Sequence, residues 1–247
     1  MSTFHLADVR CLSGVPFVHA KFAARLLASG VVAVRQMHGR TLRAPGLPDE
    51  DDVQAWLQPA VAVKTRPGCT PIPSRPLPQG KDARVALAVE RICRFVPQWK
   101  GLMRLPVVYH LLEQGSRSLS ASSYLWPQQI LLSEAAFESD EVLADLVLHE
   151  MCHQWLYLIE ELWPFDKPGA RRVTLPSGTE NRAPREVIGA AHVAAVTVHL
   201  HRATGMPGTR TARFTEYGKG CVALLDRVND DLTPAGRIIA HDLKEAL

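Results

Sequence analysis

Val142-Leu143-Ala144-Asp145-Leu146-Val147-Leu148-His149-Glu150-Met151-Cys152-His153 decides how the rest of the chain is read. Its first part is apolar enough to predict a buried helix. It ends in the pattern HExxH. Two histidines at i and i+4 share one helix face, close enough to grip one metal ion. Glu150 lies beside them, where a carboxylate can face the open side of such an ion and act as general base toward a metal-bound water. The motif is short, and two histidines on a helix are in many proteins no more than half-exposed polar residues. Burial weighs against that here, because two histidines and a glutamate carried into a core need partners.

The 247 residues, 47% of them hydrophobic, suffice for a full core. The formal charge of +3 and a pI near 8.7, without a lysine-rich run, argue against nucleic acid or a membrane surface as partner. Five scattered cysteines without a CxxC pair argue against a cysteine zinc site or a disulfide framework. MSTFHLADVR lacks the basic and apolar regions of a secretory signal, and no apolar run approaches a membrane span. A reducing cytoplasm is the expected location. Nothing in the sequence fixes the oligomeric state.

Prolines 67, 71, 73, 76 and 78 mark an extended connector. It divides an N-terminal subregion, residues 1–79, from a metal-binding catalytic region, residues 80–247, the whole forming one compact unit. Helices are expected over Phe17–Ser29, after the acidic run Asp49–Asp52, over Lys81–Phe95, and over Asp140–Glu161 with Ser139 as N-cap and Pro164 as terminator. Further helices are expected over Pro184–Thr204, Arg213–Asp230 and Thr233–Ala246. Leu105–Leu112 and Gln129–Ser133 read as short strands, and Ser116–Ser123 as polar and flexible. The fold class is mainly α (α+β): a zincin-like metal-binding helix with a small strand layer, packed on a second long helix.

A catalytic metal site usually has three protein ligands. The extended motif with a histidine ten residues after His149 is excluded, since that position is Ile159. Glu160 and Glu161 follow on the motif helix and are expected to face solvent. Glu180 and Glu186 are conceivable ligands. His192 is the better candidate. It lies among Gly189, Ala190, Ala191, Ala194 and Ala195, small residues that let two helices approach closely. His199 is a weaker option; His5, His19, His38, His110 and His241 are not expected to take part. Cys152 falls off the face shared by the motif histidines and reads as a buried apolar residue.

The order of these elements resembles the HExxH-type peptide β-hydroxylases, enzymes dependent on iron(II) and 2-oxoglutarate that modify ribosomally made peptides. The resemblance covers Ser116 to Leu247. It rests on the serine-rich Ser118–Ser123, the strand Gln129–Ser133, the run Leu146–His153, Arg185 seven residues before His192, and Leu232-Thr233-Pro234-Ala235-Gly236. In this chain proline precedes the arginine, and Val193 follows His192.

The resemblance implies a hydroxylase acting on the β-carbon of an amino-acid side chain, within a peptide or natural-product precursor. Iron(II) would be held by His149, His153 and His192, with positions left for 2-oxoglutarate and O2. The far carboxylate of 2-oxoglutarate needs a cation. Arg185 lies about 10 Å from His192 by the helical rise, and its fork suits a carboxylate; Arg182 competes for that role. The alternative is a zinc metallopeptidase with Glu150 as general base. A metal-stabilised binding module is a third class.

Overall fold

The computed structural model describes residues 8–38, 50–59, 72–113, 118–206 and 208–247. Cys69, His5 and most of the proline-dense connector lie outside them. The chain is mainly helical with one small sheet, as expected. It divides into two compact units, residues 1–3 with 25–158, and residues 4–24 with 159–247. The division falls inside the motif helix.

In the first unit, helix α1 spans Ala24–His38, so it begins seven residues later than the sequence pattern places it. The residues before it, which belong to the second unit, are held in a turn instead. Gly14 (φ 119°) and Phe17 (φ 64°) are left-handed, and the Val15 amide donates to His19 Nδ1 at 3.0 Å. Helix α2, Glu50–Trp56, carries three acids in its first turn, where the helix dipole favours them. Helix α3, Gln79–Phe95, buries Val85, Ala88 and Ile92 at helical spacing.

Four strands form one sheet in the order β1-β2-β4-β3: β1 Ser74–Pro76, β2 Val108–Leu112, β3 Ser120–Ser123 and β4 Trp126–Leu132. The central pair β2 and β4 is parallel, with Val108 opposite Gln129 and Leu111 opposite Leu132. Leu111, Ile130, Leu131 and Leu132 are all buried, the near-continuous apolar run of an interior strand pair. Both edge strands run antiparallel to their neighbours. Pro76 ends β1, where a missing N–H is tolerated at an edge.

Strand β3 corrects the reading of Ser116–Ser123 as flexible: residues 120–123 pair with β4, Ser120 opposite Leu132, with a bulge between Ala121 and Ser123. A tight Tyr124-Leu125 turn joins the two strands, and the Leu125 amide donates to Ser123 Oγ at 3.2 Å.

Helix α4, Asp140–Leu162, carries the motif. Ser139 Oγ accepts from the Val142 amide at 3.4 Å, an N-cap at the expected residue. Arg84 ties α3 to its start through Phe137 O and Asp140 Oδ1, both at 2.6 Å. From Met151 to Glu160 only His153 and Tyr157 escape full burial. Glu160 is therefore not the solvent-facing residue that was expected; it is 7% exposed.

In the second unit, α5 (Pro184–Thr204) is buried along most of its length and packs against α6 (Gly208–Arg227) and α7 (Pro234–Ala246). A Cβ on Gly218 of α6 would lie 3.1 Å from Ala194 Cβ. The small residues around His192 thus serve the close approach of α6. Helix α7 starts at the Leu232–Gly236 segment. Thr233 Oγ1 caps it by accepting from the Gly236 amide at 3.1 Å, and the Thr233 amide donates to Phe165 O at 3.0 Å. A Cβ on Gly236 would collide with that same carbonyl oxygen. Gly236→Ala must push α7 off Phe165. It is expected to destabilise the protein by about 1–3 kcal/mol, the usual cost of overpacking, read from denaturant unfolding. A variant as stable as wild type would refute the close approach.

Candidate metal centre

Among the half-buried residues of α4, Asp145, His149, His153 and Tyr157 form one stripe, each four residues from the last. Spacing by four keeps them on one face. Within it, His149 Nε2 and His153 Nε2 lie 3.1 Å apart, with ring centroids separated by 4.8 Å. At that separation the pair either shares one proton or shares one ion. Metal–nitrogen bonds of about 2.0–2.1 Å would subtend about 100° across 3.1 Å, between octahedral and tetrahedral angles. Two imidazoles converging through Nε2 at this distance fit a single ion. Tyr157 stacks beyond His153 with centroids 6.0 Å apart, and Tyr124 from the β3–β4 turn meets Tyr157 edge-on at 6.0 Å.

Glu150 turns the other way, into the unit. Its side chain is 3% exposed against 42% for His149, yet its Oε1 stands only 4.0 Å from His149 Nε2. Ser120 Oγ of β3 donates to that oxygen at 2.6 Å, while Oε2 is buried without a partner. The rim of the site is thus two imidazoles, and its floor is a carboxylate with one oxygen held and one bare. Sequence reasoning missed Ser120. The signal was present in alternating small polar residues just before a strand, which suit an edge strand beside a helix. Cys152 is fully buried, and burial pushes its thiol well above the ordinary range, with the nearby Glu150 carboxylate adding to it. It behaves as the apolar residue that was expected.

The other site residues belong to the second unit. His192 is 0% exposed; its Nε2 lies 2.7 Å from Pro16 O, and its Nδ1 is buried without a partner. Facing a carbonyl, Nε2 must be the nitrogen that carries the hydrogen, and burial lowers the pKa of the ring to about 4. Among the described residues no group of three or more His, Cys, Asp or Glu side chains stands close enough to hold a metal ion. Within the first unit His149, His153 and Glu150 stand together; within the second, His192 meets Pro16 O.

Arg185, partly exposed, has its Nη1 3.9 Å from Asp166 Oδ1, and its amide donates to Asp166 Oδ2 at 3.4 Å. Arg182 pairs with Glu186 at 2.7 Å, and Arg172 reaches the same carboxylate at 3.3 Å. Glu186 is thereby engaged by two arginines. His201 is buried with Phe214 edge-on to its ring at 5.4 Å. His199 is exposed.

Among the described residues no helix is long and apolar enough to cross a membrane, and Cys11, Cys93, Cys152 and Cys221 are free thiols. No family model matches the chain, and no curated protein was found to match it.

Two outcomes follow from these contacts. Ser120→Ala leaves both oxygens of a buried carboxylate without a donor and should cost about 1–3 kcal/mol in unfolding free energy. Ser122→Ala removes a hydroxyl that is itself buried and unpartnered, so it should be neutral or stabilising. Equal losses in the two variants would contradict this geometry.

His192 contributes a pH dependence of defined sign. Its pKa is depressed from 6.5 to about 4, so between those values the unfolded chain binds the extra proton. Stability is full above about pH 6.5 and falls as the pH drops toward 4, by on the order of 3 kcal/mol. In His192→Gln, which can still donate to Pro16 O, unfolding titrations between pH 7 and 4 should show that part of the slope removed.

Proposed function

We propose that this chain is a metal-dependent hydroxylase. Iron(II), held by His149 and His153, would work with 2-oxoglutarate to hydroxylate the β-carbon of an amino-acid side chain within a peptide or natural-product precursor. The reading includes a zincin-like arrangement, in which a small strand layer covers a metal-binding helix. The observation that carries it is the convergence of the histidine pair at 3.1 Å beside Glu150, with Ser120 bonded to that glutamate at 2.6 Å. Two sequence elements on which the resemblance rests, the serine segment and the HExxH run, thereby meet at one place.

The ion and its keto-acid partner would supply oxidising power; the chain's own residues supply position. His149 and His153 would present two imidazole nitrogens on one face and leave the opposite side open. Glu150, pinned through Oε1 by Ser120, holds a fixed carboxylate beneath the histidine pair. The aromatic wall of Tyr157 and Tyr124 borders His153 and favours an apolar part of the substrate. A guanidinium is needed for the far carboxylate of 2-oxoglutarate, and Arg185 and Arg182 remain the two proposed sources. In this structure each already faces a carboxylate, Asp166 or Glu186, which the cosubstrate would have to displace.

One observation favours a second reading. Glu150 Oε1 stands 4.0 Å from His149 Nε2 and its Oε2 is buried without a partner, a carboxylate beside the histidine pair that suits a general base for a metal-bound water in a zinc metallopeptidase. Adding iron(II) and 2-oxoglutarate anaerobically to metal-free protein separates the two. The hydroxylase should develop a visible iron-to-ketoacid charge-transfer band, lost in His149→Ala and His153→Ala and weakened in whichever of Arg185→Ala or Arg182→Ala removes the carboxylate partner. No band, together with tight zinc retention and peptide cleavage abolished in Glu150→Gln, would replace this proposal with the hydrolase.

A further inference from the structure

Gln128 is fully buried and left-handed at φ 62° within β4, a backbone region that side chains other than glycine seldom adopt. Its polar atoms are engaged one by one. Nε2 donates to Leu57 O at 2.6 Å and Pro106 O at 2.7 Å. Oε1 accepts from Arg35 Nη1 at 2.8 Å, and Arg35, itself 1% exposed, also reaches Trp56 O at 3.1 Å. The amide N–H, turned out of the ladder by the left-handed backbone, donates to Gln154 Oε1 at 2.5 Å. Gln154 Nε2 in turn donates to Gln129 O at 3.2 Å.

The side chain of Gln154 thus offers one acceptor and one donor to two successive residues of β4, as a neighbouring strand would. Gln154 directly follows His153 and is itself 0% exposed. Adjacent residues on a helix point about 100° apart, so an anchor at Gln154 fixes the angle at which the neighbouring histidine face is held.

We propose that Gln154 is a positioning residue for the histidine pair: its amide clamps the motif helix to Gln128 and Gln129 of β4, and so fixes the roll at which His149 and His153 present Nε2 to an ion. Apolar packing around α4 resists separation but is non-directional, so it leaves rotation of the helix weakly specified. The two hydrogen bonds of Gln154 are directional and buried. Arg35 and the carbonyls of Leu57 and Pro106 hold Gln128 in place, so the clamp closes on a fixed point. The inference rests on the metal reading above but on neither choice of reaction.

The test uses the full chain, stripped of metal and titrated with cobalt(II), whose visible bands report coordination geometry and whose uptake gives Kd. Gln154→Leu keeps the volume and loses both bonds. Gln154→Glu keeps the acceptor for the Gln128 amide and loses the donor. Cobalt affinity should fall about 10–100-fold in the leucine variant, the range found for residues that orient metal ligands, with a smaller loss in the glutamate variant. The bands should shift in both relative to wild type. A purely structural role would lower the thermal midpoint while leaving spectrum and Kd unchanged, and that result overturns the inference alone. If the leucine variant fails to fold, the glutamate variant decides by the same two readouts. A wild-type protein that takes up no cobalt overturns the metal reading and this inference with it.

Discussion

The first unit depends on how a helix buried on nearly every side satisfies the polar groups it carries inward. Glu150 and Gln154 both point into the unit from α4. Left unpaired, each would cost free energy comparable to a lost buried hydrogen bond. Ser120 on β3 answers one, and the backbone of Gln128 and Gln129 on β4 answers the other. These bonds lock the helix against two neighbouring strands. The stripe then left over at the surface carries the two histidines. Hydrophobic burial brings α4 to the sheet, and the polar bonds select which face remains open.

Much of this was legible where the local signal is self-contained. The motif helix announces itself through Ser139, an apolar run and Pro164. Helix α5 begins at Pro184 and α7 at Pro234, as their first-turn prolines require. Strand β4 reads as an apolar run. Strand β3 does not, because Ser-Ala-Ser-Ser lacks the β-branched and aromatic residues that mark strands. Its extended form comes from pairing with β4 through a two-residue turn, which is non-local information. Helix α1 was placed too early for a related reason. Ala23, Leu26 and Leu27 fit a helical period, but the residues before Ala24 are held in a turn built around His19.

The candidate site divides along the same line. His149, Glu150 and His153 are set by spacing within one helix, so the sequence suffices to bring them together. Ligands drawn from elsewhere require knowing which surfaces meet. The small residues flanking His192 say that some neighbour comes close; they do not say which. In the structure Ala194 meets Gly218 of α6, and the His192 ring is held by Pro16 O. Arg185 follows suit: a guanidinium suited to a carboxylate has one in Asp166. Glu160 is expected at the surface because it follows the motif on the same helix and cannot turn back to the metal, whereas the helix there is surrounded.

The two proposed reactions place opposite demands on Glu150, and its surroundings are uneven between them. A general base in peptide hydrolysis must take a proton and pass it on, which calls for an oxygen facing the ion and room for the carboxylate to adjust. A carboxylate that merely orients substrate in a hydroxylation should be rigid and should keep its proton inventory unchanged. Ser120 restrains Oε1, as the second role requires, and leaves Oε2 unpartnered, as the first requires. The oxygen that is held is also the one 4.0 Å from His149 Nε2. The carboxylate is therefore anchored on its histidine-facing side and enclosed without a partner on the other. A group arranged in this way is held rigid, whereas moving a proton across it would require the Ser120 bond to persist or re-form at each turnover. On that ground the anchoring role is the more economical use of the geometry, and the chemistry passes to whatever the histidine pair holds.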